Sequence, residues 1–316
     1  MQSDRNRALL ARTSGRLLLS DGGLETAMIF HEGIDLPQFA AFPLLDSDRG
    51  RAALDRYFTG FLERAAELGA GFVLDTVTWR ASRGWGEVMG LDAERIDAAN
   101  RTAFAFADSL RRAHADVDVL VNGVVGPHGD AYAPGRELNA AEAEDYHARQ
   151  VAVLAEAGVD MVSAITFPAP GEAIGFVRAA QAAGVPAVVS FTVETDGKLL
   201  SGQTIGEAIA ATDAATSGYP VWYGINCAHP EHFQGSLAGD WKARIGAIRA
   251  NASRLSHAEL DAANELDAGD PEELARDYAG LLARLPGLRV VGGCCGTDLR
   301  HVSAIGSACC GRIRAA

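Results

Sequence analysis

Eight short runs rich in β-branched residues recur along this chain, each followed by an alanine-rich stretch of helical period, and no other feature narrows the fold as far. The runs occupy residues 17–23, 71–76, 119–127, 161–166, 187–193, 221–227, 243–253 and 288–297. Strands that alternate with helices pair in parallel, because a parallel neighbour is reached through a long crossover. Eight such units in 316 residues predict a single-domain α/β fold, a closed TIM (β/α)8 barrel over 17–316 behind an N-terminal extension of residues 1–16. An open doubly wound sheet shares the alternation, but its G-x-G-x-x-G fingerprint is missing: "DGG" at 21–23 lacks the third glycine.

Several helix ends can be read directly. Asp270, Pro271, Glu272 and Glu273 form an N-cap, a proline in the first turn and acidic residues facing the positive end of the helix dipole. Ser256 and Glu259 have capping-box spacing, and Gly69, Gly158 and Gly184 stand where three helices stop. The longest interval without a strand, 24–70, predicts a loop over the barrel mouth ahead of the helix in "RAALDRYFTGFLERAAELG". No low-complexity linker divides the chain.

Acidic residues outnumber basic ones by 41 to 28 and no basic run occurs, which argues against a nucleic-acid partner. No membrane span is expected, since apolar residues never run uninterrupted for about 18 positions, and residues 1–16 lack the apolar core of a secretory signal. These features predict a cytoplasmic protein, with self-association left open. Five cysteines, odd in number and clustered late, fit reduced thiols better than a disulfide framework.

Three of those thiols point to chemistry. Cys227 ends the sixth run in "GINCAHP", and Cys294 and Cys295 end the eighth in "GGCCGT". Strand C-termini of a barrel share one mouth, so thiols 67 positions apart can converge there. Gly292, Gly293 and Gly296 let the backbone bend so that two adjacent sulfurs reach the same point, which a regular strand forbids. Three cysteine ligands predict a Zn2+ site with a fourth position open to substrate, and soft thiolate donors suit sulfur alkylation better than water activation. The competing reading is three small buried hydrophobes, and for Cys309 and Cys310, in the terminal helical stretch, packing is the expected role.

At these residues the chain resembles the homocysteine S-methyltransferase family, through "DGGLET" (21–26), "LDTVTW" (74–79), "SFTVETDGKLLSGQTIGEAI" (190–209), "GINCAHPEHF" (224–233) and "GGCCGT" (292–297). The resemblance implies a barrel methyltransferase with zinc on Cys227, Cys294 and Cys295, and homocysteine sulfur as the fourth ligand. It also implies substrate-binding roles for Asp21, Gly22, Gly23 and Asn226, and Asp75, Thr76, Arg80 and Ser190 are further substrate-binding candidates of this chain. Asp21, at the end of the first run, is placed to meet a substrate ammonium. Two departures stand out. The family's glutamate at the end of strand four, which holds the homocysteine amino group, is replaced within Ile165-Thr166-Phe167. A tyrosine that can fill the vacant zinc position in betaine-type relatives aligns with Arg80, and a guanidinium cannot ligate zinc but can clamp a carboxylate. His229 reads as a hydrogen-bonded loop histidine, with that open zinc position as the alternative.

Methyl transfer to a thiol needs a neutral leaving group, so the expected partners are a small thiol and a sulfonium donor such as S-methylmethionine or S-adenosylmethionine, with methionine as product. Trp79, Trp85, Phe30, Phe191, Trp222 and Tyr223 are candidates to hold the cation by cation–π attraction, and Glu25 and Asp75 to orient substrates. Other thiols, betaine-like or corrinoid donors, and a non-enzymatic redox or metal-storage barrel are the alternatives. A zinc hydrolase is disfavoured, because no H-x-H or H-E-x-x-H occurs.

Overall fold

A computed structural model of the chain describes residues 4–132, 135–263 and 265–313. Eight parallel strands close into a barrel in sequence order: β1 (Leu18–Leu19), β2 (Gly71–Asp75), β3 (Val119–Val125), β4 (Met161–Phe167), β5 (Ala187–Phe191), β6 (Trp222–Asn226), β7 (Ile245–Ala250) and β8 (Val290–Gly293). Seven of the eight runs read from the sequence contain one of these strands whole, and the fourth stops one residue short of the end of β4. The ring closes where Leu18 pairs with Gly71 on one side and Val290 on the other.

Inside the barrel, side chains alternate with those facing the helices. Leu18, Val73, Leu120, Met161, Val188, Trp222, Ala247 and Val290 form one apolar cluster, distinct from the large core between strands and helices. Two residues further along, the inner face turns polar on six of the eight strand lines, with Ser20, Asp75, Asn122, Ser163, Ser190 and Arg249, while Gly224 and Gly292 occupy the other two. The N-terminal extension is a helix, α1 (Asp4–Arg12), whose Leu9 joins the inner apolar cluster while Asn6 Nδ2 donates to the Tyr219 carbonyl at 2.9 Å.

The surrounding helices obey the caps expected of them. Gly69, Gly158 and Gly184 adopt left-handed φ angles of 62°, 110° and 64° at the ends of the helices Asp48–Leu68, Ala140–Ala157 and Pro170–Ala183. Asp270 caps Pro271–Arg284, and Ser256 with Glu259 closes a capping box. The interval 24–70 corrects one expectation. It opens with a second helix, α2 (Leu24–Phe30), rather than a loop, followed by 3-10 turns at Pro37–Phe39 and Phe42–Asp46. It does reach the mouth, where Ile29, Phe30 and Phe39 line the cavity. Among the described residues no helix is long and apolar enough to cross a membrane.

Candidate active site

The C-terminal ends of the strands open into a cavity of about 460 Å³ that holds Cys227, Cys294 and Cys295. Their Sγ atoms lie within 4.8 Å of one another, with Cys227 and Cys295 3.6 Å apart. Strand β8 stops at Gly293, so the two adjacent cysteines sit on a turn and escape the alternation that would separate their side chains. Gly296 completes that turn at a φ of 77°, and Cys227 itself adopts a left-handed φ of 55° as β6 ends. Three thiolates bound to zinc at about 2.3 Å form tetrahedral edges of about 3.8 Å, so this donor set fits the ion. Hydrogen bonds from Cys227 and Cys295 hold the Cys294 thiol well below the usual range, and Arg249 adds to the effect.

Beneath the thiols runs a buried polar chain. Ser163 Oγ donates to Asn122 Oδ1 at 2.7 Å, and Asn122 Nδ2 donates to Asp75 Oδ1 at 2.7 Å. Arg249, from β7, pairs with Asp75 through one Nη and with Asp21 at 2.5 Å through the other, while its Nε donates to the Gly293 carbonyl at 3.2 Å. Tyr57 completes the chain by donating to Asp21 Oδ2 at 3.1 Å. Burial pushes the Asp21 carboxyl up to about 7 against the pull of Arg249, and burial likewise raises Glu25 to about 7.

Most of the substrate-binding candidates line this cavity: Asp21, Gly22, Gly23, Asp75, Thr76, Arg80 and Asn226. Several have structural work there. A Cβ on Gly22 would lie 2.6 Å from the Thr297 carbonyl oxygen, and one on Gly23 2.6 Å from that of Cys294, so both glycines let β1 approach the cysteine turn. Thr76 Oγ1 sits 2.7 Å from Thr78 Oγ1 and accepts the Val124 N–H at 3.1 Å. Asn226 accepts the Thr166 N–H at 2.9 Å and donates to the Thr166 hydroxyl at 2.7 Å, fixing that residue at a φ of 68°, with its amide 4.0 Å from Cys294 Sγ.

Two expectations need correction, those for Ser190 and for the aromatic set. Ser190 does not line the cavity: it points inward against β6, where a Cβ on Gly224 would strike its hydroxyl. His229 has the hydrogen-bonded role: its Nδ1 accepts the Glu231 N–H at 3.2 Å as the N-cap of a short helix, and it neither lines the cavity nor joins the thiol cluster. The aromatic set divides. Phe30 and Trp79 line the cavity, Phe191 and Tyr223 stack on each other in the core, and Trp222 belongs to the apolar layer inside the barrel. Trp85 instead carries Arg80, whose guanidinium carbon lies 3.5 Å from its ring centroid and 4.6 Å from that of Trp79. Cys309 is fully buried in the last helix, as packing requires.

Tyr132, His257 and Arg249 emerge only from the structure. Tyr132 donates its hydroxyl to Cys227 Sγ at 2.6 Å, and its ring lies over His257 with centroids 3.9 Å apart. His257 Nε2 donates to the Cys227 carbonyl at 2.5 Å, and Nδ1 stands 3.1 Å from Glu194. A lone arginine inside the apolar run "IGAIRANAS" and a lone tyrosine in the polar loop after the third run were the available signals.

A closed parallel barrel with three convergent thiols in its mouth defines a class: a β/α barrel with a candidate metal centre at the catalytic face. The chain matches the homocysteine S-methyltransferase family over residues 18–309 and belongs to it. It is 26% identical to a selenocysteine Se-methyltransferase of Brassica oleracea var. italica, over 95% of this chain and 90% of that one. With homocysteine S-methyltransferase 2 of Arabidopsis thaliana the identity is 24%, covering 94% and 93%. Its fold superposes on the homocysteine methyltransferase MmuM of Escherichia coli in oxidized and metallated forms, with TM-scores of 0.75 and 0.73, identities of 21% and 22%, and coverage of 96% of this chain and 99% of that one. The protein is therefore a methyltransferase.

Proposed function

We propose that the chain is a zinc-dependent thiol S-methyltransferase of the cytoplasm that moves a methyl group from a sulfonium, S-methylmethionine or S-adenosylmethionine, to homocysteine, giving methionine. The observation that carries this reading is the cluster of Cys227, Cys294 and Cys295 in a cavity large enough for small substrates. The metallated form of the Escherichia coli protein supports it. Zinc on three thiolates supplies an open position that takes a substrate thiol and lowers its pKa.

The chain's own residues do the rest. Asp21 offers a carboxylate beside the cysteine turn for a substrate ammonium, and Arg249 and Tyr57 hold that carboxylate in place. Phe30, Phe39 and Trp79 give the mouth aromatic faces that favour a sulfonium. Tyr132 and His257 brace Cys227 from the side of the cavity. A sulfonium leaves as a neutral sulfide, so positioning replaces proton transfer as the main task of the protein. A thiol other than homocysteine is the second reading, favoured by Ile165, an apolar side chain lining the cavity where relatives of this family hold an amino group.

The test couples metal content to turnover. Wild-type protein should contain about one zinc per chain and form methionine from S-methylmethionine and homocysteine by mass spectrometry, whereas Cys294→Ser should lose the metal and the activity with its circular dichroism intact. Full activity in metal-free protein overturns the proposal.

A further inference from the structure

Two arginines face the cavity from buried positions, and the fold treats them differently. Arg249 is engaged at every nitrogen, by two carboxylates and a carbonyl. Arg80 is not. Its side chain is 8% exposed, yet Nε and Nη1 are buried without a hydrogen-bond partner among the described residues. Nη2 has Asp130 at 3.6 Å, too long for a hydrogen bond, and Asp130 is itself 45% exposed. Burying idle N–H donors of a cation is costly unless something arrives to accept them.

The surroundings fix Arg80 for that purpose. Trp85 and Trp79 hold the guanidinium by their rings, which leaves its edges free for hydrogen bonds. Trp79 is pinned in turn, because its Nε1 donates to the Ile165 carbonyl at 3.1 Å and its own carbonyl accepts the Gly126 N–H at 3.0 Å. Either edge of the guanidinium, Nε with Nη2 or Nη1 with Nη2, joins an idle nitrogen to the weakly engaged one, and each edge matches the two oxygens of a carboxylate. Arg80 follows β2, across the ring from the strand that carries Cys227.

We propose that Arg80 is the carboxylate anchor of this cavity, binding the α-carboxylate of an amino-acid substrate at the wall across from the β6 thiol. The proposal rests on the methyl-transfer reading, in which both the acceptor and the donor carry such a group. Binding, measured apart from turnover, tests it. Calorimetric titrations of the full chain compare homocysteine with 3-aminopropane-1-thiol, and S-methylmethionine with (3-aminopropyl)dimethylsulfonium; each second compound lacks only the carboxylate.

In one of the two series the wild type should bind the carboxylate-bearing ligand about 30-fold more tightly than its decarboxylated counterpart. Arg80→Gln should remove that preference without weakening the decarboxylated ligand, and Arg80→Lys, a point charge without the fork, should fall between. The responding series shows whose carboxylate is held. Equal affinity for both members of both series in the wild type overturns the proposal, and this comparison needs no variant to fold. So does an Arg80→Gln protein that keeps the preference. Methyl transfer by the wild type, followed separately, reports on the parent reading.

Discussion

Replacing Arg249 with methionine removes the cation that holds two buried carboxylates together. The side chain is 13% exposed, and it contributes ion pairs to Asp21 and Asp75 plus a hydrogen bond to the Gly293 carbonyl. Taking one partner from a buried pair costs about 3–5 kcal/mol. That is a large share of the 5–15 kcal/mol typical of a domain, approximately. The pH dependence has a definite direction. Asp21 already sits at about 7, so below that pH its carboxyl is largely protonated in wild type and variant alike, and the loss there reflects hydrogen bonds and the stranded Asp75 charge. Without Arg249 the Asp21 pKa rises further. An acid raised in the folded state lowers stability progressively until pH passes the folded pKa, so the additional penalty accumulates above pH 7, by up to about 1.4 kcal/mol per pH unit. Urea unfolding at pH 6, 7.5 and 9, followed by circular dichroism and tryptophan fluorescence, measures both parts. A deficit under about 1 kcal/mol at pH 6, or one that shrinks between pH 7 and 9, refutes the assignment of Arg249 as the strut of this site.

Two further outcomes follow from neighbouring contacts. Tyr132→Ala should uncover Cys227, a residue only 3% exposed beneath that hydroxyl, and speed its alkylation by iodoacetamide in chelator-treated protein by about tenfold or more; an unchanged rate, mapped by mass spectrometry, would remove Tyr132 from its covering role. Asp298 accepts the Arg300 N–H at 2.9 Å at the start of the last helix; burial pushes its carboxyl up, but His301 and Arg300 outweigh this and hold it well below the usual range. A depressed acid stabilises above its unfolded pKa of about 3.9 and loses that effect as pH falls through the folded value, so Asp298→Ala should cost about 1 kcal/mol at pH 7 and progressively less toward pH 2. An equal gap at both ends of that range contradicts the pairing.

The eight strands and the three thiols were legible in the sequence for a simple reason. Both depend on local pattern plus one global fact, that parallel strands in a barrel end at the same face. The helix caps at Gly69, Gly158, Gly184 and Asp270 are likewise local. Arg249 was hidden because nothing in its run says how far an inward-pointing side chain reaches, and Ser190 was misplaced for the same reason: both belong to the polar inner layer, but only the long arginine reaches the cavity. Tyr132 lies in a loop whose course depends on distant supports, with the His128 N–H donating to Glu172 at 2.6 Å and Glu172 meeting the buried His147 at 2.9 Å. Pro230, directly after His229, marks that histidine as a helix cap, a cue that the ligand hypothesis passed over.

The seam between the first and last strands has a consequence for how the molecule is made. Strand β1 is two residues long and bonds to β8, the Gly293 N–H donates to the Asp21 carbonyl at 2.8 Å, and the Gly296 N–H reaches the Thr26 hydroxyl 270 residues away at 3.2 Å. Asp21 therefore leaves the ribosome long before the segment that gives it a place, and a truncated product ending ahead of residue 290 has neither a closed ring nor two of its three sulfurs. Chemical competence in this chain arrives with β8 and the cysteine turn behind it, in the same step that shuts the barrel.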